Sequence, residues 1–126
     1  MSGQQTILVV EDDRDVSEGM VSLLEEEGYL VVAALDGAEG LVALRQTAGV
    51  GLVLLDLTMP KMSAAEFRFE QRKDPAIAQV PVLLMSAGLD VARHADVLGA
   101  VGFVGKPFKP ARLLETVGRL LRPGEA

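Results

Sequence analysis

Apolar residues gather in five short runs, at positions 6–10, 29–34, 51–55, 80–85 and 101–104. Most are rich in Val and Leu and nearly continuous rather than alternating, which is the pattern of strands buried on both faces. Between and after them the spacing becomes helical. Val16, Met20, Leu23 and Leu24 form one stripe, and Leu41, Leu44 and Ala48 form a second. The clearest stripe is Leu113, Leu114, Val117, Leu120 and Leu121, with Arg112, Glu115, Arg119 and Arg122 on its other side. Residues 63–73 mix Phe67 and Phe69 with charges, residues 90–98 are short and Ala-rich, and both are expected to be helices. Asp13 and Asp36 stand where helix N-caps are wanted, and Pro110 suits the first turn of the last helix. Residues 122–126 read as a helix stop and a frayed end. Strand and helix thus alternate five times, which predicts an α/β fold: a doubly wound parallel sheet with helices on both faces and right-handed crossovers.

Composition narrows this picture in a few places. At 126 residues the chain fits one domain, and an apolar fraction of 49% with only 4% aromatics leaves the packing to Val, Leu and Ala. The absence of cysteine excludes disulfides, thiolate metal sites and thiol nucleophiles. No run of about 18 apolar residues is present to span a membrane. The first residues lack the charged and apolar regions of a secretory signal, so a cytoplasmic protein is expected. A formal net charge of −6 argues against general affinity for nucleic acid or anionic lipid.

In a sheet of this kind, ligands bind beyond the carboxyl ends of the strands. Glu11, Asp12 and Asp13 follow the first run, Asp56 the third, Ser86 the fourth, and Gly105 and Lys106 the fifth. Carboxylates held close together repel one another unless a cation joins them. Mg²⁺ suits such a place, because it takes oxygen ligands, keeps several waters and accepts few carboxylates. A carboxylate there can attack phosphorus. Lys106 supplies a positive charge for phosphoryl oxygens, and Ser86 a small hydroxyl donor.

The segments Ile7-Leu8-Val9-Val10-Glu11-Asp12-Asp13, Leu54-Leu55-Asp56-Leu57-Thr58-Met59-Pro60, Met85-Ser86-Ala87 and Lys106-Pro107-Phe108 together resemble the receiver domain of two-component response regulators. The resemblance spans essentially the whole chain, in order and at nearly the expected spacing, so residues 1–126 are expected to be one single-domain, CheY-like receiver. It implies a flavodoxin-like sheet of five parallel strands in the order 2-1-3-4-5. By the same resemblance Asp56 is the phosphoacceptor, and Glu11, Asp12, Asp56 and the backbone carbonyl of Thr58 hold Mg²⁺. Ser86 is the switch hydroxyl, Phe103 the switch aromatic and Lys106 the phosphate-binding lysine, and the bond before Pro107 is expected to be cis. The implied partners are a sensor histidine kinase or phosphotransfer protein, and a downstream protein read through the fourth helix, fifth strand and fifth helix. A phosphorylation-dependent dimer is a further expectation, and direct binding of nucleic acid or membrane is not expected. The chain departs from the family pattern at Ala64, where glycine is common. Phe103 lacks a tyrosine hydroxyl, and the stretch from Ser86 to Lys106 is a residue or two short.

Simpler roles compete at several positions. Asp13 is better read as a cap than as a ligand, and Phe103 can serve the core as well as a switch. His94, Lys61 and Lys73 read as surface residues, with Lys61 near enough to the site to affect access of a phosphodonor. The chain could also be a receiver excised from a larger response regulator or hybrid kinase. A small Mg²⁺-dependent phosphohydrolase with an aspartyl nucleophile would need a second acid where Thr58 stands. An unphosphorylated interaction module would not need Glu11, Asp12, Asp56, Ser86 and Lys106 all intact. An ordinary enzyme acting on an external substrate is therefore not expected, and output is expected through protein contacts.

Overall fold

The apolar runs become strands because each offers both of its faces to helices. The computed structural model describes residues 5–59, 61–88 and 91–121. In chain order the elements are β1 Thr6–Val10, α1 Arg14–Glu26, β2 Leu30–Ala34, α2 Gly37–Gln46, β3 Val50–Asp56, α3 Ala64–Arg72, β4 Val82–Ser86, α4 Val91–Leu98, β5 Gly102–Gly105 and α5 Pro110–Leu121. All pairings are parallel, and the five strands lie in the order β2-β1-β3-β4-β5, the arrangement of flavodoxin-like, CheY-like folds. Pro60, the expected helix opener Asp90 and the expected stop at residues 122–126 lie outside the described residues.

Successive strand residues point to opposite faces, so each strand feeds two cores. Leu8, Val10, Val53, Leu55, Val82 and Leu84 pack with Leu41 and Leu44 of α2, Phe67 of α3, and Ala95 and Leu98 of α4. Ile7, Val9, Leu52, Leu54, Leu83 and Met85 pack with Met20 and Leu24 of α1 and with Leu113, Val117 and Leu121 of α5. Helix α2 comes close to β1 at Gly40, where a Cβ would lie 2.9 Å from Val10 Cγ2 and 3.2 Å from Phe67 Cε2.

Helix starts are set by side chains. Asp13 caps α1 by accepting from the N–H groups of Asp15 and Val16, and Asp36 caps α2 by accepting from that of Glu39. Ser63 and Glu66 form a reciprocal capping box at α3.

Two expectations need correction. Ala48 does not continue the α2 stripe, because α2 stops at Gln46 with Thr47 as its cap, and Ala48 is exposed. Burial on both faces holds for β1, β3 and β4, but β2 and β5 are edge strands with exposed positions, among them Leu30 and Phe103. An edge strand has a neighbour on one side only, so helices cover it less completely.

Candidate functional site

The strand order puts β1 and β3 side by side with Val10 opposite Leu55, so Glu11 and Asp56 emerge together at the carboxyl edge. The register continues outward, with Asp56 opposite Met85 and Ser86 opposite Gly105. Glu11, Asp56, Ser86 and Lys106 therefore share one edge although they span 95 residues of chain, and Lys106 Nζ donates to Glu11 Oε1 at 2.8 Å and to Asp56 Oδ2 at 3.3 Å. One oxygen each from Glu11, Asp12 and Asp56 lies within 4.8 Å of the others.

Each acid sits differently. Glu11 is wholly buried and both of its oxygens are engaged, Oε1 by Lys106 and Oε2 by the N–H of Asp13 at 3.1 Å. Asp12, one residue on, is exposed. Asp56 is 3% exposed, and its Oδ1 accepts from the N–H of Thr58 at 3.2 Å. Burial and then the negative charge of Glu11 push the Asp56 carboxyl up to about 6, against the Thr58 N–H and the Lys106 charge, which favour its ionised form. Burial works against the Lys106 ammonium, but its hydrogen bond to Glu11 and the charges of Asp56 and Glu11 outweigh this and raise its pKa.

The donor set is hard oxygen, clustered and partly open, which fits Mg²⁺ and excludes a soft-metal site. Asp12 is the most accessible of the three acids, whereas Glu11 already holds the ammonium of Lys106. Thr58 is exposed and reaches Asp56 through its backbone.

Ser86 is 5% exposed, and its Oγ accepts from the N–H of Gly88 at 2.9 Å. The carbonyl of Ser86 accepts from the N–H of Lys106 at 2.9 Å, which ties the ends of β4 and β5 together. The Lys106–Pro107 peptide bond is cis. Phe103 is 47% exposed on β5, opposite Leu84 in register, and thus stands away from the acidic cluster. Asp13 belongs to the helix cap and not to the cluster of acids.

The loop after Asp56 has anchors that sequence reasoning missed. Lys61 adopts φ 69°, and its Nζ lies 3.6 Å from Asp36 Oδ2, joining this loop to the start of α2. The N–H of Glu39, and then Lys61, hold the Asp36 carboxyl below its ordinary value despite some desolvation. Ala64 opens α3 with its methyl group buried, so the loop tolerates a side chain there. The Ser63-x-x-Glu66 spacing was the available signal for the capping box that ends this loop. Lys73 pairs with Glu70 and lies over the exposed ring of Phe69, 5.1 Å from its centroid, and His94 is exposed on α4.

With this geometry in view, the comparisons with known proteins agree on the class. The model of the response regulator receiver domain matches residues 7–118, and the chain belongs to that family. The protein Rrf1 of Nitratidesulfovibrio vulgaris is 38% identical over 117 residues, covering 91% of this chain and 81% of Rrf1. The transcriptional regulatory protein CpxR homolog of Haemophilus influenzae is 37% identical, over 92% of this chain but only 50% of its own length. The chain spans about half the length of several such curated relatives. Among solved structures, the chemotaxis protein CheY4 of Vibrio cholerae superposes with a TM-score of 0.86 at 27% identity, covering 94% of this chain and all of that one. The signal receiver domain of a signal transduction histidine kinase from Syntrophus aciditrophicus gives 0.82 at 30% identity, covering 97% and 96%. The chain is accordingly a receiver domain of two-component signalling, a signalling rather than catalytic family whose members take a histidine kinase as partner. Among the described residues, no helix is long and apolar enough to cross a membrane.

Proposed function

We propose that residues 1–126 act as one cytoplasmic receiver that accepts a phosphoryl group on Asp56 from a sensor histidine kinase or a phosphotransfer protein. The observation that carries this reading is the meeting of Glu11, Asp12 and Asp56 with Lys106 at one sheet edge. An Asp56 oxygen attacks phosphorus as the bond to the donor's imidazole nitrogen breaks, and the bonding pair leaves with that nitrogen. The product is an acyl phosphate on Asp56. Because Thr58 holds Oδ1 and Lys106 meets Oδ2, the carboxylate is already oriented before the donor arrives. Lys106 then follows the charge onto the phosphoryl oxygens, and Ser86 donates its hydroxyl to one of them. Glu11, Asp12, Asp56 and the Thr58 carbonyl would hold Mg²⁺, which when bound neutralises charge on the transferring group.

Phosphorylation is read at the surface of α4, β5 and α5, by a downstream protein or a second copy of the chain. The relatives named as transcriptional regulators are about twice as long, and the output proposed for this chain is through protein contacts. Intact-mass measurement after incubation with a small phosphodonor and Mg²⁺ tests the assignment. One phosphoryl group is expected on the wild type and none on Asp56→Asn, and equal phosphorylation of both would overturn it.

A further inference from the structure

Helix α4 buries Ala95 and Leu98, which are 6% and 8% exposed, while Ala92, Arg93, His94, Asp96 and Val97 are exposed, and it is tied to α3 at its C-terminal end. Its C-terminus is a Schellman turn: the N–H of Ala100 donates to the carbonyl of Ala95, that of Gly99 donates to Asp96, and Gly99 has φ 68°. Such a turn leaves the Leu98 carbonyl without a backbone donor.

That carbonyl receives two guanidinium groups from α3. Arg68 Nε donates to it at 2.8 Å and Arg72 Nη2 at 2.7 Å. Arg68 is 8% exposed and is itself fixed, since its Nη1 donates at 2.6 Å to Gln71 Oε1. Gln71 is wholly buried, and its Nε2 donates to the carbonyls of Ile77 and Val80 at 2.9 and 3.0 Å. The fit at Gly99 is close: a Cβ there would lie 2.5 Å from Arg72 Nη2. Two like charges converge on one carbonyl at the negative end of a helix dipole, which offsets part of their mutual repulsion.

We propose that Arg68 and Arg72 pin the C-terminal end of α4 to α3, so that α4 moves by pivoting about Leu98 and Gly99 rather than by sliding. The pin deepens the reading of α4 as part of the output surface and rests on it for its consequence, not for its existence. Its opposite end follows Ser86 and Gly88, beside the proposed phosphoryl site. A phosphoryl group on Asp56 therefore acts at the end of the helix away from the pin, and displacement decays toward Leu98.

The test uses the full chain with two readouts. Arg72 is exposed, so Arg72→Gln should fold, and Arg72→Lys keeps one charged donor. Without any phosphate mimic, amide exchange at Ala100 should be about tenfold faster in Arg72→Gln, as for loss of one charge-assisted hydrogen bond. It should be partly restored in Arg72→Lys and unchanged at the sheet amides of Leu8 and Leu54. With beryllofluoride, wild-type shift changes should fall along α4 from Val91 to Leu98, whereas in Arg72→Gln they should extend through Leu98. Unchanged exchange in Arg72→Gln, or shifts already uniform along α4 in the wild type, would overturn the pin. Failure of beryllofluoride to shift residues around Asp56 would instead count against the phosphoacceptor reading and leave the exchange result to decide the pin.

Discussion

Asp56 is both the nucleophile proposed for this domain and a residue the fold holds at a cost. Its carboxyl is raised from its ordinary value to about 6 by burial and by Glu11, so the folded state binds its proton more tightly than the unfolded chain does. The contribution of Asp56 to stability is therefore greatest below the unfolded pKa, falls as pH rises through about 4 to 6, and stays lower above that. Without Mg²⁺, Asp56→Asn should stabilise the protein by roughly 1–3 kcal/mol at pH 7.5, with the gain shrinking as pH falls toward 4. Urea denaturation at both pH values checks this, and a gain that grows on acidification would contradict it. For Mg²⁺ itself, Asp12→Asn should weaken binding by calorimetry far more than Asp13→Asn, because Asp12 is the exposed member of the cluster and Asp13 is spent on the helix. At this scale the sequence was most informative, because polar residues that follow apolar runs stand out. It was silent on Arg68 and Gln71, since a buried Arg–Gln network has the composition of any solvated helix face until tertiary partners are known.

Elements were legible where a local signal existed. The caps Asp13 and Asp36 and the opening Pro110 can be read from residue type alone, because their partners lie within a turn. The end of α2 could not, since Ala48 keeps the apolar spacing while the backbone has already left the helix at Thr47. The exposure of β2 and β5 was also hidden, because edge position follows from strand order and not from the strand's own composition. Helix α1 begins immediately after the acidic pair, so its cap and the site share a boundary. Asp13→Ala leaves the N–H groups of Asp15 and Val16 without their acceptor, and should cost about 1 kcal/mol in urea denaturation. Phosphorylation of Asp56 should persist in that variant, because Glu11 keeps Lys106 and burial by the sheet. Its complete loss would mean that α1 is needed to shape the site.

At the scale of the whole molecule, strand order converts four distant segments into one edge and links that edge to a surface. The alternation of strands and helices predicted the layers, and the resemblance supplied the order; no local pattern could, because β1 at the centre and β2 at the edge are both short apolar runs. The link runs through β4 and β5, where the Ser86 carbonyl accepts from the Lys106 N–H while the Lys106 ammonium meets Asp56. In the present state Ser86 Oγ is turned to the N–H of Gly88, and Phe103 is 47% exposed. Under the proposed mechanism, a phosphoryl group on Asp56 would compete with Gly88 for the serine, and drawing Oγ toward the anion would free the space it leaves. An apolar ring is more stable when buried, by roughly 1.5–3 kcal/mol for complete burial, and Phe103, 47% exposed, has about half of that left to gain by turning inward once that space exists. Added to the new contacts of the phosphoryl group, such a gain biases a two-state equilibrium whose states differ by a few kcal/mol. Ser86→Ala should still be phosphorylated, since Asp56 and Lys106 are intact, but it should transmit less. With beryllofluoride bound, amide shift changes between Leu98 and Leu114 should be smaller in Ser86→Ala than in the wild type. Equal shifts would mean that the signal passes directly from Lys106 into β5, leaving Ser86 a strand-end residue with no part in the switch.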